Sequence, residues 1–168
     1  MHQSQNGNAE GSRGRLIALL QAAYSAEKAA AFAYQGHARS VKRSEERAKI
    51  LAIEEEEWIH RRKVGEMLAE LGAAPVAARE VIFTAIGATL RLLCPLSGWF
   101  LPMYFAGRLE TMNVDEYETA ARDAAASGLV AMQHELELMA LVEKEHEAYF
   151  LGVIESARQE ARVPRERR

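Results

Sequence analysis

Cysteine, proline and net positive charge are all scarce in this chain of 168 residues. The single cysteine, Cys94, excludes an internal disulfide bond and suits a reducing compartment. Lysine and arginine total 21 against 24 aspartate and glutamate residues, and the net charge of -3 argues against a nucleic-acid partner. Only four prolines interrupt the chain, so long helices are permitted over most of its length.

The two ends of the chain have the composition of tails rather than of a packed domain. Residues 1–14 are polar and glycine-rich and hold no apolar signal segment, so we expect a disordered tail and a cytoplasmic protein. Residues 161–168 are basic and contain Pro164, and we expect them to fray. Residues 15–160 remain, which is enough chain for one domain with a sizeable core.

Capping residues, breakers and helix-favouring composition predict four long helices. We expect them over residues 16–41, 44–71, 103–125 and from the Ser127-Gly128 break to about residue 159. Ser44 should be the N-cap of the second helix, and Gly72 should follow its last turn. The pattern predicts an all-α fold of two antiparallel helical hairpins.

Residues 73–102 connect the two hairpins and are too many for a tight turn. Ferritin-like four-helix bundles need one long crossover of this kind, and we expect it to contain one or two short helices. Between Val81 and Gly107 the only charged residue is Arg91, so the crossover is strongly apolar.

The apolar crossover allows two interpretations. Arg91 and two prolines break it before about 20 uncharged residues accrue, which argues against a membrane-spanning helix. We favour a segment that lies in a membrane surface, with Trp99, Tyr104 and Phe105 at the level of the headgroups. The alternative is a crossover helix packed on the bundle.

Two Glu-x-x-His tetrads, Glu57 with His60 and Glu143 with His146, lie in the second and fourth predicted helices. Residues three apart share a helix face, so each tetrad aims a carboxylate and an imidazole at one point. Two such pairs, with one glutamate from each of two further helices, form the ligand set of a carboxylate-bridged di-iron bundle. The first and third helices supply these glutamates as Glu27 and Glu110.

The spacing of these residues gives a geometric test, because residues equidistant from the turn of an antiparallel hairpin lie at the same height. The midpoint of Glu27 and Glu57 is position 42, beside the first predicted turn. The midpoint of Glu110 and Glu143 falls between positions 126 and 127, at the second predicted turn. Each hairpin should therefore bring one glutamate and one tetrad to the same level.

The chemistry of these donors indicates which metals they would bind. Four buried carboxylates would repel one another unless they were neutralised, and two divalent cations cancel their charge. Carboxylates with one imidazole per metal suit iron or manganese better than zinc. The predicted ligands are Glu57 and Glu143 as bridges, Glu27 with His60 at one metal, and Glu110 with His146 at the other.

Two tyrosines repeat one offset from a predicted ligand. Tyr34 follows Glu27 by seven residues and Tyr117 follows Glu110 by seven, which is nearly two helical turns, so both lie on the ligand face. The sequence allows two roles for them: packing in the core, or hydrogen bonding to the ligands or to bound oxygen species. We name both as candidate catalytic residues that support the ligands.

These motifs resemble those of the demethoxyubiquinone hydroxylases, the membrane-peripheral di-iron monooxygenases of ubiquinone biosynthesis. The resemblance covers roughly residues 24–152 and includes the order and spacing of the ligands. It also includes the cluster Tyr34-Gln35-Gly36 after the first ligand and Tyr117 after the third-helix ligand.

The resemblance implies that the chain hydroxylates the ring of a polyprenylated benzoquinol or quinone with O₂ and two electrons. It implies two iron ions per chain, an external electron donor derived from NAD(P)H, and a peripheral position on the inner face of a membrane. An exposed apolar crossover is also compatible with a homo-oligomer or with a biosynthetic complex.

Three other interpretations remain open. The first is a di-iron oxidase that acts on a tRNA base or a soluble metabolite. It would be expected to have a basic groove or to lack an apolar surface, and the acidic composition and the apolar crossover count against it. Iron storage of the ferritin kind or peroxide scavenging of the rubrerythrin kind is a second alternative, although one cysteine cannot build rubrerythrin's additional iron module. The third is a non-catalytic membrane scaffold, which would have no reason to retain six ligands.

Overall fold

Five α-helices and one short 3₁₀ turn make up the computed structural model, which describes residues 2–162 and, for residues 2–9, the backbone alone. The elements are α1 (His2–Ser40), α2 (Ser44–Glu70), α3 (Ala77–Leu93), the 3₁₀ turn Cys94–Leu96, α4 (Phe100–Ala126) and α5 (Val130–Arg162). Within the described range there are no strands, so the predicted all-α class is confirmed.

The four long helices pack as two hairpins, α1 with α2 and α4 with α5, and α1 also packs against α4. Gly72 and Gly128 end α2 and α4 with positive φ angles of 68° and 75°, a conformation that glycine adopts without steric strain. Ser44 is not the N-cap we expected: it is the first residue of α2, and Arg43 occupies the cap position without a side-chain hydrogen bond.

The polar tail expected over residues 1–14 differs from the described structure, in which α1 begins at His2. Ser12 is buried and accepts a hydrogen bond of 2.9 Å from the Arg15 guanidinium, which also pairs with Asp123 of α4 at 2.6 Å. This contact, together with burial of Leu16, holds α1 against the bundle at residues 12–16. Met1 and residues 163–168 lie outside the described residues. Of the predicted basic tail, residues 161 and 162 are described, and they end α5.

Two separate apolar cores fill the bundle, one toward each end. The first contains Leu20 and Leu68, and the second contains Ile53 and Phe150. On each of the four long helices, the predicted metal ligands fall between the segments that enter the two cores. The packing of apolar side chains therefore leaves one polar layer across the middle of the bundle.

The crossover helix α3 lies along α1. Gly36 of α1 approaches the backbone of Arg91, and Gly87 of α3 approaches the backbone of Ala29, so closely that a Cβ atom at either glycine would lie within 2.7 Å of main-chain atoms. At the other end of α3, Glu80 accepts a hydrogen bond of 2.6 Å from Arg61 of α2. The crossover is thus fixed to the α1/α2 hairpin along its length.

The crossover and the first half of α4 expose many large apolar side chains, which we call the apolar patch. Its members are Val81, Ile82, Ile86, Leu92, Leu93, Leu96, Phe100, Leu101, Tyr104, Phe105, Leu109 and Met112. Trp99, which we expected at the level of the headgroups, is half-buried, and its indole N–H donates to Glu46 at 2.9 Å. Among the described residues, no helix is both long enough and apolar enough to cross a membrane.

Candidate metal centre

Six acidic and imidazole side chains meet in the polar layer between the two cores. They form two groups whose ligand atoms lie within 4.8 Å of one another: Glu27, Glu57, His60 and Glu143 in one, and Glu57, Glu110, Glu143 and His146 in the other. The two groups share Glu57 and Glu143, which are the residues predicted to bridge. All six side chains are buried. The structure therefore brings together every residue that the sequence named as a metal ligand.

The geometry of the two hairpins explains why these residues meet. The turn between α1 and α2 occupies residues 41–43, and the turn between α4 and α5 occupies residues 127–129. Each turn lies at the midpoint of the glutamates on its two helices, which places them at the same height. The spacing of three residues within each tetrad then brings its histidine to the same face as its glutamate.

Several carboxylate oxygens and imidazole nitrogens in this cluster lack a hydrogen-bond partner. These atoms test whether the residues fit a bound metal. The atoms without a hydrogen bond among the described residues are Glu27 Oε2, Glu57 Oε1 and Oε2, His60 Nδ1, Glu143 Oε1 and His146 Nδ1. A buried polar atom left unpaired costs about 1–3 kcal/mol. Two cations placed among these atoms would satisfy all of them, and oxygen-rich donors with one imidazole each suit iron or manganese. The residues fit a pair of metal ions.

Burial and mutual repulsion dominate the electrostatics of the carboxylates. Burial raises the pKa of Glu27, and it raises the pKa of Glu57 and of Glu110 well above the ordinary carboxyl range. Burial acts in the same direction on Glu143, but contacts with the two histidines outweigh it and hold its pKa well below the usual range. The cluster therefore concentrates negative charge in a dry site, where it can be neutralised by protons or by cations.

The two histidines differ in their surroundings. Burial acts to lower the pKa of His60, but Glu143 and Glu27 outweigh it and raise that pKa. Glu143 Oε1 lies only 2.7 Å from His60 Nδ1, although the geometry of this contact is not that of a hydrogen bond. His146 instead has Glu56 Oε2 at 2.6 Å from its Nε2. A proton on Nε2 directed to Glu56 leaves the lone pair of Nδ1 free for a metal. The two metal positions are thus chemically inequivalent.

The two candidate tyrosines connect the hairpins in a crosswise pattern. The Tyr34 hydroxyl on α1 donates to Glu110 Oε1 on α4, and the Tyr117 hydroxyl on α4 donates to Glu27 Oε1 on α1. Burial, followed by the adjacent carboxylates, raises the pKa of both phenols well above the ordinary value, which keeps them protonated as donors. Each phenol therefore orients a carboxylate of the opposite hairpin.

Two residues of the centre were missed in the sequence. Asn113 donates from Nδ2 to Glu110 Oε2 at 3.1 Å and to Glu143 Oε2 at 3.4 Å. Its spacing of three residues from Glu110 was a signal that could have identified it. Glu56 lies in a run of four acids, and its contact with His146 depends on the packing of α2 against α5. Sequence spacing alone does not contain that information.

Two adjoining cavities lie between α1, α3 and α4. One of about 150 Å³ has Glu27, Asn113, Glu116 and Tyr117 on its polar side, and the other, of about 240 Å³, presents a surface that is almost entirely apolar. Ala30, Ala33, Leu90, Leu109 and Asn113 border both cavities. Together the cavities fall within the range of about 300–1,000 Å³ typical of small-molecule sites.

The walls of these cavities reach from the metal ligands to the outer surface. Leu93, Leu101, Phe105 and Leu109 line the larger cavity and also belong to the apolar patch. The two cavities therefore lie between the apolar patch and the carboxylate cluster. No protein-family model, curated protein or solved structure matches this chain.

Proposed function

We propose that this chain is a ferritin-like di-iron monooxygenase that hydroxylates the ring of a polyprenylated benzoquinol or quinone, as its motifs resemble those of demethoxyubiquinone hydroxylase. The observation that supports the proposal is the pair of adjoining cavities, which share lining residues and extend from Glu27 to members of the apolar patch. A lipid-tailed substrate could place its ring in the cavities while its tail leaves along the patch. A water-soluble substrate would not need such a route.

The residues that would hold the two irons are those of the two buried groups. Glu57 and Glu143 would bridge the ions, Glu27 and His60 would complete one site, and Glu110 and His146 would complete the other. When bound and reduced, the iron pair would supply O₂ activation: with two electrons and two protons, one oxygen atom enters the ring as a hydroxyl group and the other leaves as water. The electrons would come from an external donor derived from NAD(P)H.

The protein's own groups would have three tasks around that chemistry. Tyr34, Tyr117 and Asn113 hold the carboxylates in place through the hydrogen bonds described above, so that ligand positions are fixed before metal binds. The alanines and leucines of the cavity walls exclude water from the ring-binding space. Glu56 is partly exposed and contacts the buried His146, so it offers His146 a hydrogen-bonded connection to solvent.

The apolar patch supports a peripheral position on a membrane. Leu96 is 82% exposed and Val81 is 71% exposed, and exposed apolar surfaces of this extent are typical of membrane or protein contacts. We propose that the patch lies in the headgroup region of the inner face of a cytoplasmic membrane, where the quinone resides. A homo-oligomer or a biosynthetic complex would use the same surface, so it is an alternative to membrane binding.

The direct test combines metal analysis with a product assay. Iron-loaded protein should contain about two irons per chain. Supplied with a short-tailed benzoquinol lacking one ring hydroxyl, a reductant and ¹⁸O₂, it should form the hydroxylated ring with one labelled atom, as detected by mass spectrometry. A protein that binds two irons but consumes only peroxide would be a scavenger, and the monooxygenase proposal would be wrong.

A cavity-filling variant separates the substrate route from the metal site. Ala33 borders both cavities, and Ala33→Leu should block them and reduce hydroxylation at least tenfold while the iron content stays at the wild-type level. The matched control is Ala52→Leu, the same change at an exposed position of α2. Equal hydroxylation by the two variants would show that substrate does not reach the irons through these cavities.

A further inference from the structure

His37 is a buried imidazole that the metal centre does not use. It lies ten residues after Glu27 on α1, is 2% exposed, and lines the larger, 240 Å³ cavity. Its ring lies near those of Tyr34 and Phe150, with centroid distances of 6.2 Å and 5.6 Å and interplanar angles of 26° and 24°, so both neighbours restrain its orientation. Its Nε2 atom has no hydrogen-bond partner among the described residues.

The other polar groups that border this cavity are already engaged or are weak hydrogen-bonding groups. The Tyr34 hydroxyl donates to Glu110, the Asn113 amide donates to Glu110 and Glu143, and Ser97 Oγ donates to the carbonyl of Cys94 at 2.8 Å. The Cys94 thiol is only a weak donor. The imidazole of His37 is therefore the strong hydrogen-bonding group in the wall of the larger cavity that could still bond to a ligand.

Burial lowers the pKa of His37 to about 4, so its ring is neutral at physiological pH. A neutral imidazole carries one N–H donor and one acceptor nitrogen. It can donate to the carbonyl oxygen of a quinone and accept from the hydroxyl of a quinol. Such a group suits a ring that changes between these two oxidation states, whereas a charged side chain would be expelled from so apolar a cavity.

On the basis of the proposed function, we propose that His37 is the residue that recognises a ring oxygen of the quinone or quinol in the larger cavity. The hydrogen bond orients the ring, while the apolar walls bind its carbon frame without directional preference. His37 is thus a specificity-determining residue: it selects aromatic molecules that carry oxygen over hydrocarbons of the same shape.

The test measures binding without turnover. Iron-loaded protein, kept free of O₂ and reductant, is dialysed to equilibrium against hexyl-para-benzoquinone and, separately, against hexylbenzene, which lacks the oxygens. His37→Phe should weaken quinone binding about tenfold, the equivalent of one buried hydrogen bond, and leave hexylbenzene binding unchanged. His37→Gln, which keeps a donor and an acceptor, should restore most of the quinone affinity. His134→Phe, the same change at an exposed histidine of α5, should alter neither ligand's affinity.

The outcomes distinguish recognition from packing. Iron content and melting temperature are measured for each variant, and His37→Met serves as a second apolar replacement if the phenylalanine variant does not fold. Equal losses for both ligands, or no loss for either, would overturn the assignment of His37. Intact discrimination in a protein that fails to hydroxylate would leave this assignment standing and overturn the proposed function. Hydroxylation by a protein that does not discriminate between the two ligands would overturn the assignment of His37 and leave the proposed function standing.

Discussion

Gly36→Ala is the change that most directly tests how the crossover is held. Gly36 is buried in α1 where α3 crosses it, and an alanine Cβ there would lie 2.6 Å from both the Cα and the carbonyl oxygen of Arg91. Carbon atoms in contact normally stay about 3.5–4.0 Å apart, so the shortfall is about 1 Å. Backbone atoms cannot rotate away as a side chain can, and α3 would have to move as a unit.

The size of the effect can be estimated against a matched variant. Overpacking of this kind typically costs about 1–3 kcal/mol in the free energy of unfolding. Alanine also favours helix over glycine by up to about 1 kcal/mol, which would mask part of that loss. Gly152→Ala in α5 has the same gain in helix propensity, and a Cβ atom there would have no other atom within 4 Å. The difference between the two variants therefore isolates the clash.

Thermal and denaturant unfolding should place Gly36→Ala about 1–3 kcal/mol below Gly152→Ala, or roughly 2–12 °C lower in melting temperature for a chain of this length. Iron content should stay at the wild-type level, because α3 contributes none of the six ligands. Quinone binding should fall, because α3 supplies walls of both cavities. If the two variants unfold within about 0.5 kcal/mol of each other, α3 does not pack against α1 as described.

Further predictions concern the metal ligands, the surface and the pH dependence. Glu56→Ala should lower iron affinity about 10–100-fold by equilibrium dialysis, because it removes the acceptor for a ligating histidine, whereas Glu55→Ala, at an exposed neighbouring position, should not. Leu96→Asp should release the protein from liposomes of anionic and neutral lipid, whereas Leu51→Asp, an exposed leucine of α2, should leave binding intact; equal release would exclude the patch as the membrane contact. Hydrogen bonds from Arg61 hold the pKa of Glu80 below its ordinary 4.5, so its contribution to stability is present above about pH 4.5 and is lost as the pH falls below that value. Glu80→Gln should therefore show a smaller loss of unfolding free energy between neutral and acidic pH than the wild type, and an unchanged pH profile would contradict this pairing.

The meeting of the six ligand residues could be predicted because it depends on short-range signals. The Lys42-Arg43-Ser44 break and the Ser127-Gly128 break located both turns, and the height of each glutamate followed from its distance to the nearer turn. The spacing of three residues within each tetrad placed its histidine on the same helix face as its glutamate. None of these steps required knowledge of how the two hairpins dock.

Three features escaped prediction because they depend on that docking. Tyr34 was placed on the ligand face, but its partner Glu110 lies on the other hairpin, so the hydrogen bond could not be chosen over simple packing. Residues 10–15 of α1 are mostly polar in sequence, and α1 is held there by a contact between Arg15 and Asp123, which lie 108 positions apart. Trp99 was expected at an interface because it is aromatic, yet Glu46 accepts its N–H and draws it toward the bundle.

The crosswise tyrosines have a consequence for the order of assembly. Because Tyr34 and Tyr117 each support a carboxylate from the opposite pair of helices, a half-chain containing one pair holds a glutamate without its phenol and a phenol without its glutamate. Neither half would present a finished cation site. Iron capture should consequently be among the last events in maturation, and the colour of the loaded protein would report that both halves have come together.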